Sequence, residues 1–137
     1  MIKKQFTLYL ENRPGELAGI TRKLAAAKVN IEGISVSAST DVALVQMVPS
    51  DARKAKKLLD QNKIPFSVQD VSVLTLRNEP GALSRLVSEL AEARVNVNYV
   101  YATGCSCVSK VGGCFVVISA EDLKSVEKAW RHIQKQV

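Results

Sequence analysis

Two short stretches decide the fold: Asn12–Leu17, with the sequence NRPGEL, and Asn78–Leu83, with the sequence NEPGAL. The second stretch follows the first by 66 positions, and the same offset holds from Asn12 to Ile34 with nine identities over 23 positions. Ordinary residue frequencies would give about one or two identities by chance. The chain is therefore a tandem duplication of one structural unit.

Hydrophobic periodicity predicts the elements of each unit. In the first copy the pattern predicts a strand around Phe6–Leu10, a helix with its apolar stripe from Leu17 to Ala27, strands over Ile31–Ser39 and Val42–Val48, a helix opened by Pro49–Asp51, and a strand over Ile64–Val68. The second copy repeats this order with strands near Val71–Leu76, Val97–Thr103 and Cys114–Ser119, a helix near Gly81–Ala93, and a last helix that carries Leu123, Val126, Trp130 and Ile133 on one face. Each unit therefore reads as βαββαβ, except that the second lacks its last strand.

These elements predict an α+β protein made of two ferredoxin-like units, residues 1–69 and 70–137. Single-sided helix stripes and right-handed crossovers place both helices of a unit on one face of an antiparallel sheet with strand order 4-1-3-2. Without its fourth strand, the second sheet has an open edge unless another strand covers it. Because unpaired edges are sites of strand pairing, we expect a homodimer.

Composition restricts the class of protein. Apolar residues make up 47% of the chain and charged residues 23%, which is typical of a water-soluble globular protein. No apolar run approaches the roughly 18 residues of a membrane span, and no signal peptide follows Met1, so we expect a cytoplasmic protein without a membrane partner. The net charge of +6 is scattered over predicted helix surfaces and only 5% of residues are aromatic, so nucleic-acid binding is not expected.

The repeated motif has a chemistry of its own. Pro14 at the first helical position would fit the fixed φ of proline, and Gly15 would let a ligand approach the backbone closely. The free N–H groups of the opening helical turn can bind a carboxylate, and the amide of Asn12 can meet either end of an amino-acid zwitterion. The alternative is purely structural, with Asn12 capping the helix and Asn30 as a left-handed residue at the helix end.

The stretches Leu10–Leu17 and Val29–Ile31, repeated at Asn78–Leu83 and Val95–Val97, resemble the signature of the ACT domain family of regulatory modules in amino-acid metabolism. The resemblance implies a ferredoxin-like fold, amino-acid binding where modules meet, and no catalysis. The ligand-binding residues it implies are Asn12, Arg13, Pro14, Gly15, Glu16, Leu17, Asn30, Ile31, Asn78, Glu79, Pro80, Gly81, Ala82, Leu83, Asn96 and Val97.

Two departures from the family pattern affect the expected site. The position before Val29, often glycine in the family, is Lys28 here and Arg94 in the second copy, which predicts a differently shaped helix end. Leu10 stands where a polar contact residue is expected. Apolar flanks without a second charge partner favour an apolar, branched or aromatic amino acid as the ligand.

An insertion distinguishes the second copy. Aligning Val48–Asp51 with Ile118–Glu121 gives an offset of 70 instead of 66, which predicts four extra residues in the hairpin Gly104–Cys114. This hairpin holds Cys105, Cys107 and Cys114 and could cover the second site as a lid. The usual paired-cysteine spacing and a fourth ligand are missing, so no metal site or other cofactor is expected.

Together these features predict an amino-acid sensor that acts allosterically on a separate metabolic enzyme. The sequence shows no phosphate loop, Ser-His-Asp set or spaced carboxylate pair, which argues against an enzyme on a ferredoxin-like fold. A ligand-free module that regulates through protein interaction alone remains open.

Overall fold

The structure, a computed structural model, describes residues 1–106 and 113–136. Its elements in chain order are β1 (Ile2–Glu11), α1 (Glu16–Ala26), β2 (Ile31–Ala38), β3 (Val42–Pro49), α2 (Ala52–Gln61), β4 (Phe66–Arg77), α3 (Ala82–Glu92), β5 (Val97–Ser106), β6 (Gly113–Ala120) and α4 (Leu123–Lys135). None of the described helices combines the length and the apolar character needed to span a bilayer.

The first compact unit comprises Lys4–Gln69. Its strands lie in the order β2-β3-β1-β4, which is the predicted 4-1-3-2 arrangement, and Leu8 pairs with Val45 across antiparallel β1 and β3. One face of this sheet packs on both helices, with Phe6 and Leu8 fully buried against Ile20, Leu24 and Leu59. The alternation in β1 and the stripes of α1 and α2 thus bury one continuous core.

The structure corrects one prediction about the strands. Ile64–Val68 and Val71–Leu76 were predicted as separate strands, but β4 runs without a break from Phe66 to Arg77. The segment between them, Gln69 and Asp70, contains no glycine or proline to stop the extended backbone. A single strand therefore serves as the last strand of the first unit and the first strand of the second.

The second compact unit comprises Asp70–Val137 together with Met1–Lys3. Strand β6 pairs with both β4 and β5. The core of this unit contains Leu74, Leu86, Leu90, Val126 and Ile133. Within the described residues no strand follows α4, as predicted. Met1–Lys3 instead run along the other side of β4, where Met1 and Val73 exchange backbone hydrogen bonds. The edge expected to be open is therefore covered, and it cannot be the reason for a homodimer.

The strand registers of the two units give the length of the insertion. Leu8 pairs with Val45 and Leu74 pairs with Val116. Leu8 and Leu74 are 66 positions apart, whereas Val45 and Val116 are 71 apart, so the insertion has five residues and not the predicted four. The helix starts agree with this offset, because Asp51 caps α2 and Asp122 caps α4.

Candidate ligand-binding site

The first motif loop starts α1 in an unusual way. Gly15 is the N-cap residue, with a φ of 91°, and no side chain caps the helix. Pro14 therefore precedes the cap and is not the first helical residue, which corrects the prediction. The first N–H groups of a helix have no partner within the helix. Here the Glu16 nitrogen donates to the Arg13 carbonyl oxygen at 3.4 Å. The next two N–H groups of the first turn, those of Leu17 and Ala18, are the donors that a carboxylate can bind.

The second motif loop repeats this geometry. Gly81, with a φ of 87°, is the N-cap residue of α3, and again no side chain caps the helix. Ala82 N–H lies 3.3 Å from the Glu79 carbonyl, which matches the contact between Glu16 and Arg13 in the first copy. A positive φ is routine only for glycine. Gly15 and Gly81 therefore allow the same backbone turn in both copies, and the helix start that follows is exposed and has no side-chain cap.

Asn12 has a different role from the helix cap that the structural alternative assigned to it. Its Nδ2 donates to the Ser39 carbonyl at 2.8 Å, and its backbone N–H donates to the Asp41 carbonyl at 2.9 Å. Asn12 therefore ties the motif loop to the β2–β3 turn. The hairpin segment that corresponds to this turn in the second copy, including Cys107 and the proposed lid, lies outside the described residues.

A salt bridge joins an arginine and a glutamate at each motif loop. Arg13 pairs with Glu11 at 2.8 Å and with Glu16 at 3.0 Å in the first copy. In the second copy Glu79 pairs with Arg85, which comes from α3. The charge of each arginine is thus partly neutralised by a glutamate. The feature that the two loops share as a possible anion-binding group is therefore the exposed helix start.

Asn30 and Asn96 lie far from the motif loops of their own units. Asn30 N–H donates to Ser50 Oγ at 2.9 Å, at the end of β3 opposite to Asn12. Since β3 has eight residues, the two ends are about 23 Å apart. Val97 likewise pairs with Ala120, at the far end of β6 from the Arg77–Gly113 pair. Neither unit brings its own two predicted sets of residues together.

The helix ends before these asparagines correct two expectations. Lys28 and Arg94 adopt left-handed φ values of 59° and 54°. Val29 N–H then bonds to the Leu24 carbonyl and Val95 N–H to the Leu90 carbonyl, which is the usual glycine-type helix end. Each helix therefore ends in the usual shape although Lys28 or Arg94 replaces glycine. In the first unit the left-handed residue is Lys28 and not Asn30.

Exposed apolar side chains flank both helix starts. Leu17 was expected in the core stripe, but it is 38% exposed, and Leu83 is 45% exposed at the same place in the second copy. In the second unit Leu83, Val87 and Val100 line a small apolar groove between α3 and β5. Sequence periodicity missed this surface because a helical stripe does not distinguish its buried end from its exposed end.

The described residues hold no group of three or more metal-ligating side chains. Cys114 is a free, half-buried thiol on β6, and the backbone of Cys105 pairs with it in register on β5.

These features define a class: paired βαββαβ units whose glycine-started helices face solvent without a cap. The family model for an ACT domain pair matches residues 1–121, and the chain belongs to that family. Membership in this family confirms the predicted fold and supports a small-molecule-binding regulatory role.

Solved structures share the fold. Protein BT0572 from Bacteroides thetaiotaomicron is 25% identical, with a TM-score of 0.84 over 98% of this chain and 90% of that chain. The regulatory subunit of aspartate kinase from Thermus thermophilus is 14% identical, with a TM-score of 0.69 over 96% of this chain and 91% of that one. The corresponding subunit from Thermus flavus is 15% identical, with a TM-score of 0.64 over 96% and 94%. None of the curated proteins matches the sequence.

Proposed function

We propose that this protein is a non-catalytic amino-acid sensor that regulates a separate metabolic enzyme. The observation that carries the proposal is the uncapped, glycine-started helix in both copies. A carboxylate bound there would accept hydrogen bonds from the first-turn amides and would gain from the helix dipole. Leu17 and Leu83, exposed beside the two starts, support a ligand with an apolar, branched or aromatic side chain.

The site we propose needs two modules. Residues from Asn12 to Leu17, or from Asn78 to Leu83, would hold the carboxylate and ammonium groups, while Asn30 and Ile31, or Asn96 and Val97, would reach the ligand from another module. The separation of these sets within a unit supports this division. A ligand that fits only one arrangement of the modules would shift their equilibrium, which is the requirement for allosteric action.

A homodimer would supply the second module. Strands β2 and β5 lie at sheet edges, and both expose apolar side chains: Val36 is 45% exposed and Val100 is 40% exposed. An unpaired edge with an apolar surface is a place where another chain can pair. These edges replace the predicted open edge of the second unit as the argument for dimerisation.

The experiment is a thermal-shift screen of the twenty amino acids, followed by calorimetric titration of any that stabilise the protein. A ligand at about 100 times its dissociation constant should add roughly 2.7 kcal/mol of stability. Leu17→Glu and Leu83→Glu place a fixed carboxylate at the helix start, which favours the helix but repels a ligand carboxylate. The matched variants Leu17→Gln and Leu83→Gln keep the size without the charge.

We expect the glutamate variants to lose binding while the glutamine variants retain most of it, with all four folded. If no amino acid shifts the melting temperature of the native chain, sensing is excluded and regulation through protein contacts alone takes its place. Equal binding by the glutamate and glutamine variants would show that the ligand lies elsewhere.

A further inference from the structure

A second concave surface lies between α3 and α4, along the face of α4 that runs from Ser125 in its first turn to Lys135 in its last. This open groove has a volume of about 550 Å³, within the range of about 300–1,000 Å³ that is usual for small-molecule sites. Residues one helical turn apart on α4 line one side of it, among them Lys128, His132 and Lys135, and Glu89 and Ala93 of α3 line the other. Arg131 also lines the groove, as do the small side chains of Ala93 and Ala129.

The groove is cationic. Lys128, Arg131 and Lys135 contribute three positive charges, and Glu89 contributes the one acidic side chain of the lining. Within the part of the second unit that the structure describes, Arg85 and the amino group of Met1 form ion pairs with carboxylates, whereas these three cations form none. Their charge is therefore available to a ligand.

Glu89 is already engaged. His132 Nδ1 lies 2.8 Å from its carboxylate, and Gln136 Nε2 lies 3.1 Å from His132 Nε2. With the Gln136 amide oriented in this way, its nitrogen donates to His132 Nε2, and Nδ1 carries the hydrogen that is donated to Glu89. This bond holds the carboxylate on the α3 side and fixes the ring between the two helices.

The first unit has the same fold, but its charged and apolar residues are placed differently at the positions equivalent to the groove lining. The repeat offsets of 66 for α1 and α3 and 71 for α2 and α4 define the equivalent positions. Equivalent to the lining residues of the second unit are Lys23, Ala27, Lys54, Lys57, Leu58, Asp60, Gln61 and Ile64. Both sets hold three cations and one carboxylate, but Leu58, Asp60 and Ile64 of the first unit replace Ala129, Arg131 and Lys135. Leu58 packs partly buried on the first core, whereas Ala129 leaves that volume empty. The fold therefore does not require the small residue Ala129 or the cations Arg131 and Lys135 at these positions.

We propose that the α3–α4 groove is a second binding site, specific to the second unit, for a small anion with at least two negative charges, such as a phosphate ester or a dicarboxylate. Arg131 offers a planar fork that matches either group, and Lys128 and Lys135 add point charges on the same side. The site is independent of the amino-acid site proposed at the helix starts.

The test uses the full chain labelled with ¹⁵N and titrated separately with inorganic pyrophosphate and with succinate. We expect saturable shifts of the amides around Ala129 and His132. Arg131→Gln removes the fork and should weaken binding about tenfold. Ala129→Leu fills the groove with the residue of the first unit and should abolish it. Arg53→Gln, on the exposed surface of α2, is the matched control and should leave binding unchanged.

Stronger binding of pyrophosphate would identify a phosphoryl ligand, and stronger binding of succinate a dicarboxylate. The absence of saturable binding by either probe would overturn the proposal, as would equal weakening by Arg53→Gln, which would indicate general attraction to a basic protein. If Ala129→Leu proves unfolded by circular dichroism, Arg131→Gln decides the question, since it changes an exposed side chain.

Discussion

Met1 and Val73 exchange two backbone hydrogen bonds, one of 2.9 Å from the Met1 nitrogen to the Val73 carbonyl and one of 2.8 Å from the Val73 N–H to the Met1 carbonyl. The Met1 amino group also lies 2.7 Å from the carboxylate of Glu127 on α4. The first residues of the chain thus occupy the edge position that the duplicated sequence leaves without a strand of its own.

Deletion of Met1–Lys3, with a new methionine before Lys4, should destabilise the second unit. The loss of these edge hydrogen bonds should lower the free energy of unfolding by about 1–3 kcal/mol. Urea denaturation measures this change, and hydrogen exchange locates it. The amide of Val73 should lose protection, whereas that of Leu8, in the first unit, serves as the control. Unchanged protection of Val73 would contradict the assigned strand pairing.

Glycine should stabilise the ends of α1 and α3. The left-handed conformation costs a residue with a side chain roughly 1–2 kcal/mol, and glycine removes this cost. Glycine also increases the conformational entropy of the unfolded chain, which cancels part of the gain in stability. Lys28→Gly and Arg94→Gly should therefore each raise the unfolding free energy by about 0.5–1 kcal/mol. Lys23→Gly, inside α1, should instead lower it by about 1 kcal/mol. Destabilisation by Lys28→Gly would show that the lysine makes contacts worth more than the strain.

Asn12→Ala should lower the stability of the first unit. The variant loses the bond from Nδ2 to the Ser39 carbonyl, which is worth about 1 kcal/mol. Thermal or urea unfolding measures the loss, and Asn30→Ala is a suitable comparison, because the bonds between Asn30 and Ser50 use the backbone of Asn30. Comparable stability of Asn12→Ala and the native chain would mean that water replaces the amide without cost.

The cap of α4 should make stability depend on pH. The hydroxyl of Ser125 and then its backbone N–H donate to Asp122, and these hydrogen bonds lower the pKa of that carboxyl. A group with a depressed pKa in the folded state stabilises the fold above its unfolded pKa, and this contribution disappears as the pH falls below about 4. Asp122→Asn keeps a good cap without a charge, so its melting temperature should fall less over the same acid range. Parallel acid profiles of the two proteins would show that other carboxylates control the acid response.

Lysine on the exposed edges should prevent the proposed dimer. Val36→Lys on β2 and Val100→Lys on β5 place a charge where a second chain would pair, a change that natural edge strands use against association. Light scattering after gel filtration should show a dimer for the native chain and a monomer for the double variant. Val42→Lys, equally exposed but on an inner strand, is the control. A native chain that is already monomeric would remove the homodimer from the proposal.

The sequence alone determined the duplication, the order of elements and the helix-on-sheet cores. Spacings such as Phe6, Leu8 and Leu10, or Ile20 and Leu24, report burial directly, because each period places apolar groups on one face. The same spacing could not show that Leu17 is exposed, because burial at the end of a stripe depends on what the fold places over it.

Only the tertiary structure decided which strand covers the edge of the second unit and which hydrogen bonds the motif residues form. Edge pairing between Met1 and Val73 joins residues 72 positions apart, and no local pattern reports such a contact. The role of Asn12 likewise depends on the β2–β3 turn, which reaches its amide only in the folded sheet. Local periodicity fixes which face of an element is buried, whereas hydrogen-bond partners that are distant in sequence are fixed by the packing of the whole unit.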